Sequence, residues 1–135
     1  MERHIAQLGV EVFIVGHYGR FDAMAASAVR AAKKRHPAVT LVLLLPYYPF
    51  HGNADDYDDT FYPPGMEAVP KPFAIVRANA YMASHCDHLI CYDCGLIGNT
   101  RELVALARKR EKKGLLQITN LASTEAITAP EVQKP

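Results

Sequence analysis

The chain has 135 residues, half of them apolar, and 15 basic against 14 acidic side chains give a formal charge of +1 with neutral histidine. That length suits one hydrophobic core and one ligand site, and so small a charge excludes the strong field that steers a protein onto nucleic acid or an anionic membrane. No apolar run approaches the roughly 18 residues of a membrane-spanning helix, and the charged start MERHIAQLG lacks the apolar stretch of a secretory leader. Cys86, Cys91 and Cys94 are too few and too close together for a disulfide framework. These features predict a cytoplasmic protein.

The first apolar run, Val10 to Val15 (VEVFIV), predicts a strand, and the glycine-containing loop GHYGRFD (Gly16 to Asp22) follows it. Phe21, Met24, Ala25, Ala28, Val29 and Ala32 then recur at helical spacing, and KKRHP supplies a basic last turn and a stopping proline. A second strand is expected over Val39 to Leu45. Residues 46–71 form a long insertion holding six of the twelve aromatic residues and several prolines, which reads as a lid or an interface element rather than a solvated linker.

A second helix is expected over Pro72 to His85, with Ile75, Ala78, Met82 and Cys86 on one stripe, and a third strand over His88 to Tyr92. The turn DCGLIGN (Asp93 to Asn99) leads into a third helix, Thr100 to Lys113, which Gly114 stops, and Leu115 to Thr119 forms a fourth strand. The tail from residue 122 to 135 has no period and is expected to be frayed or weakly docked.

Continuous apolar runs alternating with amphipathic helices predict an α/β fold: a Rossmann-like three-layer sandwich around a mostly parallel sheet, in strand order 2-1-3-4. One domain is expected over residues 1–121. Ligands in this architecture bind beyond the carboxyl ends of the strands, at the switch between strands one and three. That places Gly16 to Asp22 and Asp93 to Asn99 across a cleft from one another.

A glycine turn entering a helix offers unpaired backbone N–H groups and the positive end of the helix dipole to an anion such as phosphate. Asp93, Gly95, Gly98, Asn99 and Thr100 have that form, and so do Gly16 and Gly19, with His17 and Arg20 beside them as side-chain donors. Neither stretch is a full phosphate-binding or dinucleotide-binding motif. The plainer reading of residues 99–102 is a capping box, in which Asn99 caps the helix and Glu102 reaches back to it.

Other clusters compete. His85, Cys86, His88, Cys91 and Cys94 fall within ten residues, but a strand cysteine and a loop cysteine are placed poorly for one metal ion, and buried thiols acting as small apolar groups are expected instead, with no metal or other cofactor. ADDYDD (Asp55, Asp56, Asp58, Asp59) could ligate Mg2+ or Ca2+, yet lacks an ordered cation loop and reads as a solvated tip. Tyr47, Tyr48 and Phe50 either stack a base or build a homodimer contact. The run RKREKKG (108–114) lies in the last turns of a helix, where cations offset the dipole, so strong nucleic-acid binding is not expected.

FAIVRANAYM, CDHLICYD and GNTRELVALARKREKKGLLQITNL, with GRFD and YPPGMEAVPKPFA, resemble the SLOG superfamily, and small bacterial SLOG-like proteins in particular. That superfamily unites the DNA-processing protein A fold with the LOG (Lonely Guy) phosphoribohydrolases. The resemblance extends to Leu121. In the LOG enzymes R-K-x-x-M leads into S-D-x-x-I-x-L and then P-G-G-x-G-T-x-x-E, whose glycine turn holds the nucleotide phosphate. Met82, Asp87 and Ile90 keep that spacing, and Gly98 and Thr100 resemble the end of the glycine turn.

By that resemblance Glu102 stands near the catalytic acid, acting on the ribose or a water, and Arg77, one residue from the family arginine position, steadies the departing base or phosphate. DCGLI replaces Pro-Gly-Gly. The resemblance therefore implies binding of a nucleotide or nucleotide derivative, as a sensor or weak hydrolase. The alternatives are a nucleoside monophosphate phosphoribohydrolase, and an interaction protein with a vestigial cleft.

Overall fold

Strands β1 (Val12–Val15) and β2 (Thr40–Leu44) pair in parallel, Val12 opposite Thr40 through Val15 opposite Leu43, and helix α2 (Arg20–Lys33) joins them. This is seen in a computed structural model, which describes residues 2–17, 19–47, 52, 54–91 and 99–121. A five-residue helix α1 (Glu2–Ala6), not expected from the sequence, precedes β1. The protein is mixed α/β with parallel sheets, and among the described residues no helix is long and apolar enough to cross a membrane. Two compact units divide it, Met1–Ala74 and Ile75–Pro135.

In the first unit β2 is buried on both faces, as its unbroken apolar run predicts: every residue from Leu41 to Leu45 is buried. β1 instead alternates, with Phe13 and Val15 inward and Val12 exposed. Helix α2 buries Ala25, Ala26, Val29 and Ala32, while Met24 is 62% exposed and Ala28 also faces solvent. The predicted stripe had mixed two faces: 25, 29 and 32 follow the i, i+4, i+7 line, and 24 and 28 lie on a line turned by one residue, about 100°. Its alanines let the helix lie close to the sheet.

The insertion departs most from expectation, because residues 59–61 form a third strand, β3 (Asp59–Phe61), parallel to β2 with Val42 opposite Asp59 and Leu44 opposite Phe61. The sheet order is β1-β2-β3. The link from β2 to β3 has the dozen or more residues that a parallel crossover needs. Met66 and Pro63 are buried beyond it, and Lys71 sits over the Tyr47 ring at 4.8 Å. Much of the insertion is thus part of the sheet and its packing.

The acidic segment is not a free tip. The Asp58 carboxylate accepts the Leu41 backbone N–H at 2.8 Å and pairs with Lys33 Nζ at 2.6 Å, while the Asp58 N–H donates to the Leu41 carbonyl at 2.8 Å. Arg30 donates to the Asp56 carbonyl at 3.1 Å and lies over the Tyr57 ring at 5.0 Å. The last turns of α2 thereby hold the entry to β3 against β2.

The Leu41 N–H, and after it the Lys33 ammonium, hold the Asp58 carboxyl below its ordinary value. A carboxylate depressed in the folded state stabilises above its unfolded pKa of about 4 and loses that contribution as pH falls through the lower folded value. Asp58→Ala is expected to cost about 1 kcal/mol near neutral pH, discounted because the pair is a third exposed, and to cost progressively less in acid below about pH 4. Urea melts of both proteins across that range check it.

In the second unit a 3-10 turn, Lys71–Phe73, at the end of the first leads directly into α3 (Ala74–His85). Strands β4 (His88–Cys91) and β5 (Gln117–Asn120) are parallel, His88 opposite Gln117 through Cys91 opposite Asn120, and α4 (Asn99–Lys112) connects them. Ala83, Ala107 and Leu116 form its core, with Cys86, Leu89, Leu103, Leu106 and Ile118 packed around. Gly114, at φ +75°, ends α4 in a Schellman turn: the Leu115 N–H reaches the Arg110 carbonyl and the Gly114 N–H the Glu111 carbonyl, both at 3.0 Å. The expected stop at Gly114 is the one observed. The tail, 122–135, lies outside the described residues.

Candidate ligand-binding site

Both predicted loops follow the carboxyl end of a parallel strand and precede a 14-residue helix. Helix α4 begins at Asn99, one residue earlier than expected, so Asn99 is its first helical residue rather than its cap. Asn99, Thr100 and Glu102 form the first turn of α4, where backbone N–H groups lack carbonyl partners within the helix. Asp93, Gly95 and Gly98 lie outside the described residues.

Gly16 follows β1, His17 is exposed, Gly19 stands at the N-cap of α2 in extended conformation (φ −151°), and Arg20 is the exposed first helical residue. Neither glycine has a positive φ, so unusual backbone geometry is not what calls for them. At Gly16, room is. The Gly16 N–H donates to Asp22 Oδ1 at 3.3 Å, and a Cβ added at Gly16 would meet Asp22 Oδ2 at 2.9 Å. At Gly19 the same oxygen would be 3.8 Å away, an ordinary contact. Gly16 thus borders the carboxylate of the chain's own Asp22, in the first turn of α2 where negative charge complements the dipole.

No family model matches the chain, and no curated protein matches it.

Arg77 is exposed near the start of α3. Of the cysteine and histidine cluster, Cys91 is buried at the end of β4 and Cys86 is half-buried, and neither is in a disulfide among the described residues. His85 stacks on Tyr81 with ring centroids 4.0 Å apart and its Nδ1 is 2.7 Å from the Tyr81 carbonyl, so its ring is held along its own helix. Cys94 is outside the described residues. Among those described, no three potential ligands stand together. Burial pushes the Cys86 thiol up, and the Arg110 guanidinium opposes that in part.

Sequence reasoning missed three residues. Asp22, though inside the quoted loop, was signalled only by its place as a first-turn acid six residues after a glycine. Asp58 was hidden among four aspartates. Arg110 was grouped with the basic run 108–114 that offsets the dipole of its own helix, yet its Nη1 donates to the carbonyls of Ala83 at 3.0 Å and Cys86 at 2.7 Å, where α3 ends.

Proposed function

We propose that the chain binds a nucleotide or nucleotide derivative, with the phosphate seated at the start of α4. The observation that carries this reading is that a 14-residue helix, α4, starts at Asn99 and is the next described element after the parallel strand β4, in sequence directly after the glycine-containing stretch. Its first-turn N–H groups and dipole favour an anion. Thr100, one of the residues that resemble the SLOG superfamily turn, lies in that first turn.

The finer fold belongs to the same proposal. It is a Rossmann-like three-layer sandwich with the predicted strands in the order 2-1-3-4, and the residues from Asp93 to Thr100 are its phosphate cradle. By the resemblance, Glu102 and Arg77, the latter one residue from the family arginine position, are the residues a hydrolase would use, and sensing alone requires neither.

Gly98→Val is expected to weaken binding of a nucleoside monophosphate at least about tenfold while changing the thermal midpoint little, because a branched side chain blocks close approach of a phosphate to the backbone. Calorimetric titration and a melt on one preparation measure both. Wild-type affinity in the valine variant would show that the turn is no cradle.

A further inference from the structure

We propose that residues 56–61 form a strap that opens from the edge of the β1-β2-β3 sheet as a unit, ahead of the rest of the first compact unit, and that Arg30 and Lys33 in the last turn of α2 are its latch. The strap opens in this way whether or not the chain binds a nucleotide.

The strap has little apolar anchorage of its own. No residue from 54 to 61 is buried, whereas every residue of the run Leu41 to Leu45 is. β3 has three residues and stands at the end of its sheet, and the Thr60 N–H donates to the neighbouring Asp59 carboxylate at 2.8 Å rather than to another strand. Opening therefore breaks one short ladder and leaves the pairing of β1 with β2 whole. Pro63 and Met66, both buried, fix the chain just beyond.

What holds the strap closed comes from α2 and is polar. Lys33 Nζ lies 2.6 and 2.7 Å from the two Asp58 oxygens, with each side chain about a third exposed. Arg30 Nε donates to the Asp56 carbonyl at 3.1 Å, and its guanidinium lies over the Tyr57 ring at 5.0 Å. The two cations thus grip three consecutive residues, Asp56, Tyr57 and Asp58. Salt screens partly exposed charges but leaves apolar burial in place, so strap and core respond differently to the same salt.

Strand β2 carries both the reporter and the reference. Its N–H groups alternate in direction: that of Thr40 meets the Glu11 carbonyl at 2.8 Å on the β1 side, and Val42, two residues on, faces the same way. The Leu41 N–H meets the Asp58 carboxylate and the Leu45 N–H the Phe61 carbonyl, both at 2.8 Å, on the strap side.

The test is native-state amide hydrogen exchange, followed by NMR, on wild type and on the double variant Lys33→Met with Arg30→Met. In wild type, Leu41 and Leu45 are expected to exchange at least about tenfold faster than Thr40 and Val42 once intrinsic rates are divided out. The double variant is expected to raise the Leu41 and Leu45 rates at least about threefold further and to leave those of Thr40 and Val42 unchanged. Wild type in about 1 M salt is expected to show the same selective rise, which keeps the test independent of how the variant folds. Equal protection of the two sets in wild type would overturn the strap. A rise shared equally by all four amides, or none at Leu41 and Leu45 in the variant and in salt, would overturn the latch.

Discussion

Leu43→Ala is expected to lower stability by about 3 kcal/mol, the largest effect of any single truncation considered, and to move the urea midpoint down with little change in slope. Leu43 is fully buried in the middle of β2, opposite Val15 on one side and Thr60 on the other. Truncation removes the transfer free energy of its side chain and leaves a cavity on one face of the sheet, under a strand that is paired on both edges and so cannot shift to close it without disturbing two ladders. Val12→Ala is the control: at 55% exposure in β1 it should cost under about 0.5 kcal/mol. Equal losses at the two positions would mean that β2 is not the central strand of its sheet.

Arg110→Ala is expected to cost about 2 kcal/mol, far more than alanine at its exposed neighbours Arg108 and Lys109. Its guanidinium joins the end of α3 to the end of α4: besides the Ala83 and Cys86 carbonyls it approaches the Leu115 carbonyl at 3.5 Å. Carbonyls in the last turn of a helix have no intrahelical donor, and cations are favoured there by the dipole. Arg110→Lys should recover under half of the loss, because an ammonium cannot span these acceptors with a planar fork. Urea denaturation of the three variants measures this; parity of Arg110→Ala with Arg108→Ala would show the hydrogen bonds to be worth nothing in solution.

The fold was legible wherever a segment's own pattern decides its state. Leu41 to Leu45 is apolar without interruption and forms the doubly buried strand, and Gly114 ends α4 where a positive φ is needed. β3 was not legible, because Asp59, Thr60 and Phe61 carry no apolar run; they are held as a strand by the partners of Asp58 and by pairing with β2, which are contacts distant in sequence. The α2 stripe was legible as a helix, but the expected face joined the buried line of Ala25, Val29 and Ala32 to the exposed line of Met24 and Ala28, since alanine sits on both sides.

The site shows the same division. That a helix begins next to Asn99 could be read from the turn residues before it and the helical period after it. That the Gly16 loop is filled by Asp22 could not, because the spacing of two glycines gives the same pattern whether the anion comes from a ligand or from the chain. Arg110 lost its individuality in a run of charges for a similar reason: composition describes the run, and only the end of α3 distinguishes one member of it.

The central claim is tested most directly by calorimetric titration of the purified wild-type protein with a panel of nucleoside monophosphates, each paired with its nucleoside. The account predicts saturable one-to-one binding of at least one monophosphate, at least about tenfold tighter than the matching nucleoside, because the phosphate meets the first-turn N–H groups of α4. No binding across the panel, or a nucleoside that binds as tightly as its phosphate, would contradict it.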